Sequence, residues 1–341
     1  MRYTDHSRTA LDDTCPKARY WGYEHAGLGI TGVEPNEDLA FGLAVAQAVE
    51  GMRKGQMAPI VHSDDRSVLL NGLLTAYQTR IWPQWLTEFE LIGAEIECAI
   101  PLAPDLTYMA RPDAVIRRKA DQTVWVLSDK TTSQNPENFV RQWDKAAQNH
   151  AECVAVEQTL GLSVSGFYTQ GWYKGYQKAG TIYSPLAYAW CKEGQPGLVK
   201  DQWQPEYKYG WTRRRISEFE GGVAAWVQRL STAVIQQQFP VAGPIGLRRD
   251  LVKTYLRQVA HREHLLMLAE APIAELYPQR FQHCDEFSKF RRPCEFKSCC
   301  WVPFVGRDPI ASGMYAVRRP HHVIELEDHA RRLQQSTDPQ L

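Results

Sequence analysis

The sequence predicts an α/β fold, because segments with helical periodicity alternate with segments of strand-forming composition. Three strand-like blocks follow two helical segments, and a third helical segment separates these blocks from two more strands. The chain has 341 residues, which is long enough to bury a large core around such a sheet. Helices are expected at about 36–54, 64–84, 136–159, 213–238 and 248–269, and strands at about 90–101, 106–117, 122–131, 163–173 and 181–191.

The first of these helices has the clearest boundaries. Asn36 can cap its N-terminus, and the negative charge of Glu37 suits the positive end of the helix dipole. Arg53 and Lys54 place positive charge in the last turn, and Gly55 ends the helix. Turn residues separate the strand blocks that follow, which favours a sheet of short, closely connected strands.

Composition and charge exclude few functions. The net charge is zero, so the overall charge does not indicate nucleic-acid binding, although a local basic groove is compatible with it. The N-terminus lacks the apolar segment of a signal peptide, and no run approaches the roughly 18–20 apolar residues that span a bilayer. We therefore expect a cytoplasmic protein without a membrane partner. Short basic clusters that could line a groove are Arg213–Arg215, Arg248-Arg249, Arg291-Arg292 and Arg318-Arg319.

An acidic residue and a lysine occupy neighbouring predicted strands. Asp113 follows Arg111-Pro112 within the strand expected at 106–117, and Lys130 lies near the end of the next. Phosphodiester hydrolysis needs carboxylates to hold Mg²⁺ or Mn²⁺ and benefits from a lysine that orients the attacking water. Without further motifs, the simpler interpretation of the pair is a turn aspartate and a solvated lysine.

The motifs around this pair resemble those of the PD-(D/E)XK nuclease superfamily, especially the RecB-like and CRISPR-associated RecB-like exonucleases. Asp113 matches the aspartate on the second strand of that family, and Lys130, followed by Thr131-Thr132-Ser133, matches the end of the third. Glu95 matches an acid often found on the preceding strand. Gln148 matches a glutamine on the next helix, and Gly42–Glu50 matches the family's glycine-led first helix.

The resemblance implies a restriction-endonuclease-like core, with a mixed central sheet flanked by helices. It also implies a metal-dependent deoxyribonuclease that acts on single strands or DNA ends. The catalytic residues implied are Asp113, Asp129, Lys130, Gln148 and Glu95, and the ligands implied for Mg²⁺ or Mn²⁺ are Asp113, Asp129 and Glu95.

Three positions depart from the family pattern. Ala46 stands where the family has a metal-binding histidine, Ser128 stands where it has an acid, and Glu152 stands where it has a tyrosine. Strand side chains alternate between faces, so Ser128 and Lys130 share a face while Asp129 points to the other. Asp129 could then reach the metal only through a bulge or an irregular strand end.

These departures leave two functions open. Glu50 lies one helical turn after Ala46, and it, Glu95 or Glu97 could supply a relocated ligand oxygen to an active nuclease. The alternative is a catalytically inactive nuclease fold that binds DNA or serves as a scaffold subunit. An ATP-driven motor would have to be another chain, since no phosphate-binding Gly-x-x-x-x-Gly-Lys loop is present.

Four of the eight cysteines lie between residues 284 and 300, a density that indicates a metal or cluster site rather than disulfides. Together with Cys15, the cysteines Cys284, Cys294 and Cys300 resemble the layout that holds a [4Fe-4S] cluster in the same nuclease families. A structural zinc is the alternative, because zinc accepts the same thiolate ligands. Cys299 could replace Cys300.

These motifs suggest five regions. They are the N-terminal part of an iron–sulfur module (1–35), a nuclease-like α/β core (36–191), a linker and helical region (192–270), a C-terminal cysteine module (271–317) and a flexible tail (318–341). The iron–sulfur module would join the N- and C-terminal segments. The expected partners are DNA and a helicase or another recombination or CRISPR protein.

Overall fold

A computed structural model describes most of the chain: residues 1–33, 37–56, 65–173, 176–178, 181–183, 228, 232–268, 277, 279–280, 284, 294–301 and 308–337. The protein is a mixed α/β protein with mixed sheets. Its contacts define two units. The terminal unit comprises Met1–Asn36, Glu97–Arg111 and Val252–Leu341, and the sheet unit comprises Glu37–Ile96 and Pro112–Leu251.

The described helices and strands have the following bounds. The α-helices are α1 (His6–Thr14), α2 (Pro16–Arg19), α3 (Glu37–Arg53), α4 (Asp65–Ala76), α5 (Trp82–Glu88), α6 (Pro136–Val140), α7 (Ala147–Leu160), α8 (Thr232–Gln238), α9 (Arg249–Leu268), α10 (Lys297–Trp301) and α11 (Val323–Thr337). The strands are β1 (Arg2–Thr4), β2 (Ile30–Gly32), β3 (Phe89–Gly93), β4 (Cys98–Ala103), β5 (Leu106–Ala110), β6 (Ala114–Arg118), β7 (Val124–Thr132), β8 (Val164–Tyr173), β9 (Tyr176–Lys178), β10 (Thr181–Tyr183), β11 (Val241–Gly246) and β12 (Tyr315–Val317).

The sheet unit is built on a five-stranded sheet in the order β11-β8-β7-β6-β3. Only the central β7–β8 pair is parallel, and α7 forms the crossover between these two strands. Residues 124–128 of β7 are all buried, as expected for a central strand with both faces covered. On one face the core includes Val45 of α3, Leu73 of α4 and Leu127 of β7. On the other face, α7 packs against β7 and β8.

The terminal unit has smaller sheets. In the first, β5 pairs with β1 in parallel and with β4 antiparallel, and in the second β12 pairs with β2 antiparallel. Glu263 of α9 is buried and accepts hydrogen bonds from Arg2, Thr4 and Arg19, at 2.7 Å from each. This network connects β1 and α2 to α9.

Two predicted strands prove to be interrupted. The expected strand 106–117 stops at Ala110 and resumes at Ala114, because Pro112 cannot donate to a ladder. The expected strand 90–101 breaks around Glu95, whose positive φ of 52° places it in the left-handed region. Residues 97–111 therefore form a hairpin in the terminal unit, although the sequence predicted them within the 36–191 core.

Several other predictions can be compared with the structure. The helices expected at 36–54 and 248–269 are confirmed as α3 and α9, whereas the one expected at 136–159 is divided into α6 and α7. The tail 318–341, predicted to be flexible, contains α11, whose Val323 N–H donates to the Glu97 carboxylate at 2.6 Å. The loop expected at 192–211 and most of the helix expected at 213–238 lie outside the described residues. Within the described chain, no helix has the length and apolar character needed to cross a membrane.

Candidate active site

The Asp113 carboxylate is fixed at the junction of β6 and β7. Ala114 pairs with Leu127, so the next pair along these antiparallel strands brings Asp113 opposite Ser128. One carboxylate oxygen, Oδ2, accepts hydrogen bonds from the Asp129 backbone N–H at 2.8 Å and from the Ser128 hydroxyl at 3.2 Å. The side chain therefore has a defined position on the Ser128 face of the sheet.

Lys130 lies on this same face, two residues after Ser128. Burial alone would lower the pKa of its ammonium group. The nearby carboxylates of Asp113 and Glu152 raise it, and Asp129 and Glu95 act in the same direction. Together they outweigh burial, so the pKa of Lys130 is raised above its usual value. Asp113 makes the largest of these favourable contributions. The arrangement brings together two residues that the sequence predicted to meet.

Glu152 of α7 also lies near Asp113 and Lys130. Its side chain is buried, with only 5% of the residue exposed. Gln148, one turn earlier on α7, donates from Nε2 to Glu152 Oε1 at 2.8 Å. The other oxygen, Oε2, is buried and has no hydrogen-bond partner among the residues that the structure describes. Burial raises the pKa of Glu152 to about 7, with Asp113 acting in the same direction and Lys130 and Gln148 opposing it.

Asp129 has different surroundings from Lys130. Its Oδ2 atom lies 2.6 Å from Arg53 Nη1, and its Oδ1 atom accepts a hydrogen bond of 2.9 Å from the Trp172 indole. Arg53 also donates to the Tyr77 hydroxyl at 2.7 Å and to the Asp113 backbone carbonyl at 3.3 Å. Burial acts to raise the pKa of Asp129, and Arg53 acts to lower it. Both oxygens of Asp129 thus already accept protein hydrogen bonds, and its role as a metal ligand stays a prediction.

The other acids considered from the sequence are more dispersed. Glu95 lies in the turn after β3, and its backbone N–H donates to the Asp113 carbonyl at 3.4 Å. Its charge contributes to the raised pKa of Lys130. Glu50 is partly exposed on α3 and pairs with Lys54 at 2.6 Å. Glu97 belongs to the terminal unit.

Four cysteine thiols are neighbours in the terminal unit. Cys15 links α1 to α2 and lies in an apolar cluster with Cys294 and Phe296. The Cys294 backbone N–H donates to the Cys284 carbonyl at 2.9 Å. Burial raises the pKa of Cys294 to about 12, and the charges of Cys15, Cys300 and Cys284 contribute in the same direction. The cysteines that the sequence selected from both chain termini are therefore grouped together, and those described are free thiols.

Neither the charged group around Asp113 nor the cysteine group has the geometry of a preformed metal site. In the part of the chain that the structure describes, no three His, Cys, Asp or Glu side chains are arranged to hold a metal ion. A cation at Asp113 or a cluster at the cysteines would therefore require side-chain adjustment.

The predicted basic clusters are only partly described. Arg213–Arg215 and Arg291-Arg292 lie outside the described residues. Arg249 forms two hydrogen bonds with Glu157, at 2.6 and 2.7 Å, and Arg248 lies 3.0 Å from Asp250. These ion pairs partly neutralise the cluster, so it gives little support for a phosphate-binding surface.

Sequence reasoning treated Glu152 only as a departure from a family motif and did not select Arg53. The available signal for Glu152 was its spacing of four residues from Gln148, which places both on one helix face. Arg53 was interpreted as a favourable charge at the end of α3, and only the tertiary structure reveals its partner Asp129.

Comparison with known proteins finds no matching protein-family model and no curated protein with significant sequence similarity.

Proposed function

We propose that this protein is a metal-dependent deoxyribonuclease of the RecB-like PD-(D/E)XK type, acting on single strands or DNA ends. One observation carries the proposal. The Asp113 carboxylate is held by two hydrogen bonds beside Lys130, on one face of two adjacent strands. A carboxylate that can hold the cation and a lysine that can orient water both suit phosphodiester hydrolysis, and both residues occupy the positions that the family motif assigns to them.

Each residue has a distinct part in this chemistry. Asp113 would hold Mg²⁺ or Mn²⁺ through Oδ1, because Oδ2 already accepts two hydrogen bonds. The bound cation would polarise a phosphate oxygen and lower the pKa of a water ligand. Lys130 would orient the attacking water and stabilise the negative charge that develops on the phosphate. Its raised pKa keeps the ammonium group charged at neutral pH.

A second function is favoured by a different observation. Ser128 replaces the strand acid and donates to Asp113, while Asp129 is paired with Arg53 and Trp172. This arrangement also suits a nuclease fold that binds DNA, or builds a complex, without cleaving it. The two functions differ in whether the residues on the Asp113 face cleave DNA.

The cysteine group supports a structural cofactor in either case. Four free thiols from distant parts of the chain, partly shielded by Phe296, form a donor set that suits a [4Fe-4S] cluster. Such a cluster would connect Cys15 to the 284–300 segment and thereby stabilise the terminal unit. A structural zinc ion is the alternative metal that these thiolates could bind.

The test is cleavage of labelled single-stranded DNA in Mn²⁺ by the wild-type protein and by Lys130→Ala. Lys54→Ala is the matched control, since Lys54 is a solvent-exposed lysine of the same unit that pairs with Glu50. The nuclease proposal predicts cleavage by the wild type and by Lys54→Ala and at least a 100-fold loss for Lys130→Ala. If neither the wild type nor Lys130→Ala cuts but both bind the DNA, the protein is the non-cleaving alternative.

A further inference from the structure

We propose that Glu152 supplies the second carboxylate of a divalent-cation site, replacing the strand acid that is absent at Ser128. The inference rests on the proposed function, because it assigns a ligand to the same site. Its ligand class is a hard dication, Mg²⁺ or Mn²⁺, bound between Asp113 and Glu152.

The helix α7 places Glu152 over the Asp113 face of the sheet. Asn149 donates from its amide to the Thr169 hydroxyl at 3.3 Å, and the ring of His150 lies 4.9 Å from that of Phe167. Both strand residues belong to β8. Glu152 lies three residues after Asn149, on the same face of α7, and its charge interacts with those of Lys130 and Asp113.

The Oε2 atom of Glu152 is an acceptor that a cation could use. It is buried without a hydrogen-bond partner among the described residues, in a residue that is only 5% exposed. A buried carboxylate oxygen without a partner costs free energy unless the group is protonated or bound to a cation. Gln148 occupies the other oxygen and thereby orients the side chain. A metal ion would satisfy Oε2 directly.

The charges of the site are also those of a cation site. Asp113, Glu152 and Glu95 contribute negative charge, and Lys130 interacts with all three. The proximity of Asp113 is unfavourable for ionised Glu152, as its effect on the Glu152 pKa shows. A dication removes this repulsion. Magnesium commonly binds through one or two carboxylates and completes its shell with water and substrate phosphates.

Asp129 is less suited to this role than Glu152. Alternation along β7 directs Asp129 away from Lys130, and Arg53 and Trp172 occupy its two oxygens. If Asp129 bound a metal instead, Arg53 would be left as a buried charge without its counter-ion. Recruiting Glu152 breaks no ion pair in the described part of the chain.

The test is Mn²⁺ binding to the full-length protein in the absence of DNA. Binding is measured by the loss of the free-ion signal in electron paramagnetic resonance. Glu152→Gln retains the size of the side chain and should weaken the site at least 10-fold, as should Asp113→Asn. Glu137→Gln is the matched control, an exposed glutamate on α6, and should bind as the wild type does. Glu152→Asp keeps a carboxylate and should restore part of the affinity, which separates ligation from misfolding.

Two results would overturn the inference: Mn²⁺ affinity of Glu152→Gln within twofold of the wild type, or no Mn²⁺ binding by the wild type at millimolar concentration. DNA cleavage measured on the same preparations separates this inference from the proposed function. Mn²⁺ binding that depends on Glu152 without cleavage contradicts the nuclease but retains the metal site. Cleavage with unchanged binding by Glu152→Gln retains the nuclease and rejects Glu152 as a ligand.

Discussion

Arg53 and Asp129 form a buried ion pair, with 2.6 Å between Nη1 and Oδ2, on the face of β7 opposite Lys130. Their side chains are only 1% and 5% exposed, respectively. Because Arg53 also donates to the backbone carbonyl of Asp113, it connects the two strand segments that carry the candidate site. The ion pair thus stabilises these two strand segments from the face of β7 opposite Lys130.

Removing one partner of this pair should be costly. Asp129→Asn leaves the Arg53 charge buried without a counter-ion, and we expect the free energy of unfolding to fall by about 3–5 kcal/mol. Urea denaturation measures this change. Replacing both residues together, as Arg53→Met with Asp129→Leu, should cost less than Asp129→Asn alone. A loss below about 1 kcal/mol for Asp129→Asn would show that the pair is not held as described.

The stability of the sheet unit should depend on pH through Glu152. Its pKa rises from 4.5 to about 7 on folding, so the folded state keeps a proton that the unfolded state releases between these values. The free energy of unfolding should therefore fall as pH rises through this window, by about 3 kcal/mol in total. Glu152→Gln removes this dependence. Denaturation of both proteins at pH 5 and pH 8 in metal-free buffer measures it, and parallel curves would contradict the shift.

Substitution of Cys15 should reduce the iron content. If Cys15, Cys284, Cys294 and Cys300 hold a [4Fe-4S] cluster, the wild-type protein purified without oxygen should be brown and absorb broadly near ~400 nm. Cys15→Ser should lose most of the iron and this absorbance, whereas Cys98→Ser, at a buried cysteine of β4, should retain both. Colourless wild-type protein that contains zinc would instead establish the zinc alternative.

Substitution of Glu263 should destabilise the terminal unit. It is 1% exposed and accepts from Arg2, Thr4 and Arg19, and the charges of the two arginines hold its pKa below the usual range despite its burial. Glu263→Gln leaves two guanidinium groups with less compensation, so we expect a loss of about 3 kcal/mol or more. Unfolding monitored at α9, for example by hydrogen exchange, should detect it. Unchanged protection of α2 and α9 would contradict the network.

Some parts of this structure follow from local rules. Alternation along β7 is sufficient to put Ser128 and Lys130 on one face, and Pro112 fixes a strand boundary next to Asp113. The resemblance to the nuclease families implied that Cys15 would join the C-terminal group, although residues more than 260 positions apart meet only through the fold.

Other parts depend on tertiary contacts that no local pattern reveals. The hairpin 97–111 has the composition of a core strand, yet it pairs with Arg2–Thr4 in the terminal unit. Glu152 resembles an ordinary helix acid until α7 packs over Lys130. Arg53 has the sequence context of a helix-terminal charge, and its burial depends on Asp129, Tyr77 and Trp82.

The position of bound Mn²⁺ tests the central claim most directly. Anomalous scattering from crystals of the protein soaked in Mn²⁺ would locate the ion. We predict a peak at about 2.2 Å from carboxylate oxygens of both Asp113 and Glu152, with Lys130 nearby and the Arg53–Asp129 pair intact. An ion bound by Asp129 instead, or the absence of any ion at Asp113, would contradict this account.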